Sequence, residues 1–180
     1  MSSSGLKSSA SPYVRALLCA ALSLHILSAG AQAPQCQPAQ LALSLDDGGG
    51  DFNGMSHGGT YVMLRNRGSR ACQLPARPDV AFLDANEQTL QTSMQPTPGM
   101  HPGPVLLPVV IPPHATVKAS LRWVSGEVFD DTQCVDTASL RVSIGEGAVS
   151  APLSAHLCGA RAQGPQYQYV PFQRKRPPTN

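Results

Sequence analysis

"HATVKASLRWV", His114 to Val124, decides the fold. Val117, Ala119, Leu121 and Trp123 alternate with Thr116, Lys118, Ser120 and Arg122, a period of two that gives a β-strand one apolar face and one wet face. "SLRVSI" (Ser139 to Ile144) repeats the pattern, and beyond Gly145-Glu146-Gly147 the chain returns through "VSAPLSAHL" (Val149 to Leu157), which predicts a hairpin. Upstream, "LALSL" (Leu41 to Leu45), "TYVMLRN" (Thr60 to Asn66) and "DVAFLD" (Asp79 to Asp84) read as strands, with a further short strand at Thr89 to Ser93. No long segment carries a helical period. Seven prolines between Met94 and Pro113 predict a loop with an edge piece at Val105 to Ile111. "DDGGGDFNGMSHGG" (Asp46 to Gly59) is flexible by composition. The fold class expected is all-β: an antiparallel immunoglobulin-like β-sandwich of about six to eight strands, with a small barrel as the alternative.

The first 31 residues read as an export signal rather than as part of that domain. Lys7 and Arg15 precede an apolar run of twelve, Ala16 to Leu27, and "SAGAQA" supplies small residues at cleavage spacing. Twelve residues are too few to span a bilayer, so cleavage after Ala31 is expected, leaving no transmembrane segment. Cys19 lies inside the apolar run after Leu18, which does not fit a lipid-anchored cysteine. The domains expected are a signal peptide at 1–31, a sandwich at 32–160 and a basic tail at 161–180, flexible in the favoured reading and an added edge strand or a contact for an acidic surface or anionic lipid in the others.

Four cysteines follow the cut, Cys36, Cys72, Cys134 and Cys158. An even count in an exported chain argues for two disulfides formed in an oxidising compartment. Cys134 and Cys158 each lie twelve residues from Glu146 at the hairpin turn, so they can face one another across the two strands. Matching the apolar faces, Val142 with Ala151 and Ile144 with Val149, needs a register one residue different, which a bulge could absorb. Cys36 and Cys72 flank the Leu41–Leu45 and Thr60–Asn66 strands. Pairing Cys36 with Cys72 and Cys134 with Cys158 is therefore favoured over the other two arrangements. No CxxC is present, so a thioredoxin-like redox pair and a zinc knuckle are not indicated.

Between residues 32 and 160, seven Lys or Arg face all eleven acids, a net charge of −4. Nucleic-acid binders carry positive charge on the folded face, so none is expected as a partner. "LRNRGSRACQLPAR" (Leu64 to Arg77) holds four arginines, yet Asn66-Arg67-Gly68 is turn chemistry and Pro75 and Pro78 exclude a helix presenting all four together. The stretch reads as a strand, a turn and a disulfide anchor.

The order of these features resembles a known family. Cys36, a glycine-rich loop, "VMLRNRGSRACQLPARPDVAFLD", a proline loop, the Trp123 strand, Cys134, a Leu-x-Val strand and Cys158 are similar to the exported bacterial domain of unknown function 4232. The resemblance covers roughly Cys36 to Cys158. It implies an immunoglobulin-like sandwich outside the cytoplasm, with no established activity and no site residues to carry over.

For catalysis there is no Gly-x-Ser-x-Gly and no His-Glu-x-x-His. Copper is the sharper alternative: "GMSHGGTYVM" supplies Met55, His57 and Met63, and "SMQPTPGMH" supplies Met94, Met100 and His101, ligand types suited to Cu(I). Their spacing does not reproduce a copper-carrier motif. The function expected is a non-catalytic binding or structural module, periplasmic or secreted, with an unidentified envelope protein or ligand as partner and no cofactor. A periplasmic copper-binding protein using Met55, His57, Met100 and His101, and a small hydrolase, are the alternatives.

Overall fold

The structure is a computed structural model that describes residues 32–95 and 105–174. The expected signal peptide, Met100, His101 and the last six residues lie outside it. Ten strands are present among the described residues: β1 (Leu41–Asp46), β2 (His57–Asn66), β3 (Cys72–Leu74), β4 (Val80–Leu83), β5 (Ser93–Met94), β6 (Val109–Ile111), β7 (Thr116–Val124), β8 (Thr132–Ile144), β9 (Gly147–Ala160) and β10 (Gln166–Arg174). β3, β5 and β6 are only two or three residues long.

The strands are linked in the order β1-β2-β7-β9-β8-β4, with β10 beside β7 and β5, while β3 and β6 form a separate small ladder. β7 and β9 meet at a single pair, Val124 with Cys158, whereas β10 runs along β7 from Tyr167–Trp123 to Arg174–Val117. The long sheet is thus two layers, β1-β2-β7-β10-β5 and β4-β8-β9, hinged at Val124. These layers match the ABED and CFG sheets of an immunoglobulin sandwich, with β1, β2 and β7 as A, B and E and with β4, β8 and β9 as C, F and G. β10, the C-terminal strand, stands where D would be.

Side chains at every second position meet between the layers. Val62 and Leu64 of β2 and Val117, Ala119, Leu121 and Trp123 of β7 pack with Phe82 of β4 and with Leu140, Val142 and Ile144 of β8. Phe82 reaches across the layers, edge-on to Trp123 at 6.2 Å and to Tyr167 of β10 at 5.1 Å between ring centroids. The alternation expected of His114 to Val124 is what β7 shows, with Val117, Ala119, Leu121 and Trp123 buried.

The β8–β9 hairpin contains the anticipated bulge. Cys134 faces Cys158, the register shifts between Thr137 and Ser139, and beyond it Val142 faces Val149 and Ile144 faces Gly147. The shift therefore runs opposite to the expected pairing of Val142 with Ala151. Thr137 holds the bulge from inside, donating its hydroxyl to the Leu83 carbonyl of β4 at 2.9 Å. Both favoured disulfides are formed, Cys36–Cys72 and Cys134–Cys158.

Two further expectations are corrected. Residues 166–174 are not a flexible tail: Tyr167, Tyr169 and Phe172 are buried, so burial of three aromatics outweighs the basic composition. Pro171 lies in the irregularity between Val170 and Gln173, where a missing amide costs no ladder bond. The sandwich accordingly extends to Arg174 instead of stopping at 160. The glycine-rich loop is also shorter and better fixed than its composition suggests, since β2 already begins at His57 and residues 47–56 are closed by turns.

Candidate binding site

The outer face of the first layer carries the other half of the alternation. Tyr61 and Met63 of β2 and Thr116 and Lys118 of β7 point away from the core, with Met63 directly opposite Lys118. The loop after β1 folds over this face. Gly48, Gly49 and Gly50 take φ values of 66°, 65° and 100°, a left-handed region that favours glycine. Asp46 Oδ1 accepts the Gly48 amide at 2.7 Å and Asp47 Oδ1 the Gly49 amide at 2.9 Å, two Asx-type turns that reverse the chain. Phe52 then anchors the loop. It is buried, 4.7 Å from the Tyr61 ring, and rests on Gly59, where a Cβ would come within 2.4 Å of its ring.

The result is a cleft of about 600 Å³ lined by Asp46, Gly48, Asp51, Tyr61, Met63, Thr116, Lys118 and Gln173. Tyr61 donates its hydroxyl to Asp51 Oδ2 at 2.8 Å, and Lys118 Nζ lies 3.6 Å from the ring centroid, a cation–π contact. The hydrogen bond to Asp51, then desolvation, then the charges of Asp51 and Asp46 push the Tyr61 hydroxyl above its ordinary pKa. Its proton therefore stays in place at neutral pH, and the site presents an aromatic ring between carboxylates and one ammonium. Gln173 comes from β10, the segment expected to be flexible. The cleft was not apparent in the sequence because Asp51, Tyr61, Lys118 and Gln173 are scattered over more than a hundred positions. The available signal was the glycine run beside alternating Tyr61 and Met63.

Among the described residues, those considered for copper fall on the loop tip, on β2 and on β5. Met55 is 95% exposed at the loop tip, and His57 Nδ1 donates to the Met55 carbonyl at 2.8 Å across Ser56, whose φ is 58°. Met63 stands six residues further along β2, roughly 20 Å at a strand's rise. Met94 is on β5, while Met100 and His101 fall outside the described residues. The four arginines of Leu64–Arg77 are exposed around a turn built on buried Asn66. Asn66 donates to the carbonyls of Arg70 and Ile111 at 2.8 and 3.1 Å and accepts the Gly68 amide at 2.8 Å.

The model of the domain of unknown function DUF4232 matches residues 36–173. The chain belongs to this family. The match includes β10, beyond the Cys36–Cys158 span of the resemblance, so the DUF4232 domain of this chain takes in Gln173 and with it the whole cleft lining. No curated protein and no solved structure matches the chain. Among the described residues of the DUF4232 domain, no helix is long and apolar enough to cross a membrane.

Proposed function

We propose that this DUF4232 domain is an exported, non-catalytic binding module of the cell envelope that takes a partner's cationic amine into the cleft beside Asp46 and Asp51. The observation that carries the reading is the pairing of Asp46 and Asp51 with an aromatic ring in one cleft of about 600 Å³. Two carboxylates against the single Lys118 ammonium, which itself lies over the Tyr61 ring, leave the lining net negative, and that excess favours a cation. The cleft volume is in the range of small-ligand sites. Its lining offers hydrogen-bonding and charged groups rather than a nucleophile with an adjacent base. Export is supported by the leader-like first 31 residues and by two disulfides, which persist in oxidising compartments.

The test is an NMR titration of the oxidised domain with a short lysine-bearing peptide and with the same peptide acetylated at its amines. Selective shifts at Tyr61, Asp51 and Lys118 are expected for the charged peptide. Asp46→Asn with Asp51→Asn should weaken it by about tenfold or more, equivalent to at least ~1.4 kcal/mol. Equal binding of the acetylated peptide, or indifference to the two substitutions, would refute the reading.

A further inference from the structure

The two disulfides occupy different environments. Cys36, Cys72 and Cys158 are each 1% exposed, but only Cys36 and Cys72 belong to the core cluster, and Cys134 is half-buried. Cys134–Cys158 bridges directly opposed residues of β8 and β9, and the neighbouring opposed pair is Asp136–His156. On these strands Val135, Thr137 and Leu157 face the interior. Alternation therefore puts Cys134, Asp136, His156 and Cys158 together on the opposite face, where Asp136 and His156 are exposed, Cys134 is half-buried and Cys158 is buried. Both sulfurs and a ring nitrogen of His156 lie within 4.8 Å of one another. His156 Nδ1 donates to Asp136 Oδ1 at 2.6 Å, with the two side chains 46% and 85% exposed.

We propose that reducing Cys134–Cys158 converts this patch into a metal site for a thiophilic divalent ion such as Zn²⁺, with Cys134, Cys158 and His156 as ligands and Asp136 as the positioning residue behind the histidine. With metal–sulfur bonds of about 2.3 Å, a tetrahedral site needs its sulfurs about 3.8 Å apart, a separation that two released thiols on facing strands can adopt. The hydrogen bond to Asp136 fixes the tautomer that leaves the other ring nitrogen with a free lone pair, the usual carboxylate–histidine arrangement behind a metal. Solvent supplies a fourth ligand. The site is redox-gated, because the same sulfurs cannot bridge each other and bind as thiolates.

The electrons come from a dithiol. Its thiolate attacks the Sγ of Cys134, the less buried residue of the two; the Sγ–Sγ bond breaks and Cys158 leaves as thiolate. The donor's second thiol resolves the mixed disulfide, so two electrons reach the pair and the donor departs as its own disulfide. Binding the ion to both sulfurs then releases the protons they hold.

The mature chain is reduced until alkylation shows two modified cysteines, freed of reductant without air, and titrated with Co²⁺. One equivalent should bind with a thiolate-to-cobalt charge-transfer band, absent from the oxidised protein and abolished by Zn²⁺. Asp136→Ala should weaken binding about 10- to 100-fold, and His156→Ala by at least as much. The double variant Cys134→Ser, Cys158→Ser should keep its β-sheet circular dichroism and lose the band. If that variant does not fold, the comparison of His156→Ala with the unsubstituted chain decides alone. Absence of the band, its indifference to both His156→Ala and Asp136→Ala, or loss of the sheet on reduction overturns the proposal.

Discussion

Tyr61 donates its hydroxyl to Asp51 Oδ2 at 2.8 Å, so one bond ties the outer face of β2 to the loop that covers it. The bond also fixes the Tyr61 proton, since a neighbouring carboxylate favours the neutral phenol. Folding raises this pKa, so its contribution to stability is fully present below the unfolded tyrosine range and is lost as pH rises through the folded value. In Asp51→Asn the ionisation of Tyr61, followed by NMR of its ring signals, should move down towards the ordinary value. An unchanged titration would mean that the bond does not form in solution.

Phe52 occupies the space that Gly59 leaves open. A Cβ at position 59 would lie 2.4 Å from the Phe52 ring and 2.7 Å from the Leu121 carbonyl oxygen. Gly59→Ala should therefore displace Phe52 and cost about 1–3 kcal/mol, read as a lower Tm. Adding Phe52→Ala should cost less in the Gly59→Ala background than alone, because the displaced ring has already lost its seat.

Asn66 is fully buried and uses both ends of its amide. Asn66→Ala removes the partner of the Gly68 amide and of two carbonyls, and urea unfolding should show a loss of about 1–3 kcal/mol. Arg65→Ala and Arg67→Ala, on exposed neighbours, should change stability by less than about 0.5 kcal/mol.

The C-terminal strand makes two opposite predictions. Phe172 is 2% exposed, so Phe172→Ala should cost about 3 kcal/mol or more, a large share of a typical domain's stability. The Tyr169 hydroxyl is buried with no hydrogen-bond partner among the described residues, and burial pushes its pKa well above the ordinary range. Tyr169→Phe removes that polar group while keeping the ring, and should leave stability unchanged or raise it by about 1 kcal/mol. A flexible tail would show no loss of stability for Phe172→Ala in thermal unfolding.

Much of this architecture could be read from the chain because its signals are local. Alternation from Val117 to Trp123 fixes which face of β7 is buried, since successive side chains on a strand must point to opposite sides. Gly145-Glu146-Gly147 and the equal spacing of Cys134 and Cys158 fix a hairpin and its bridge, because a turn sets the register of the strands it joins. An even set of cysteines behind a leader-like segment fixes the number of disulfides.

What the sequence could not specify was which distant strands lie side by side. β10 joins β7 because Tyr167, Tyr169 and Phe172 complete the core, a long-range burial that outweighs a proline and a basic composition. At the bulge between Thr137 and Ser139, Thr137 bonds to the Leu83 carbonyl of another strand, a contact that the hairpin's own sequence does not reveal. The cleft over Tyr61 and the Cys134–Asp136–His156–Cys158 patch exist only once those pairings are made. Local alternation decides which way a side chain points; only the packing of the layers decides what it meets.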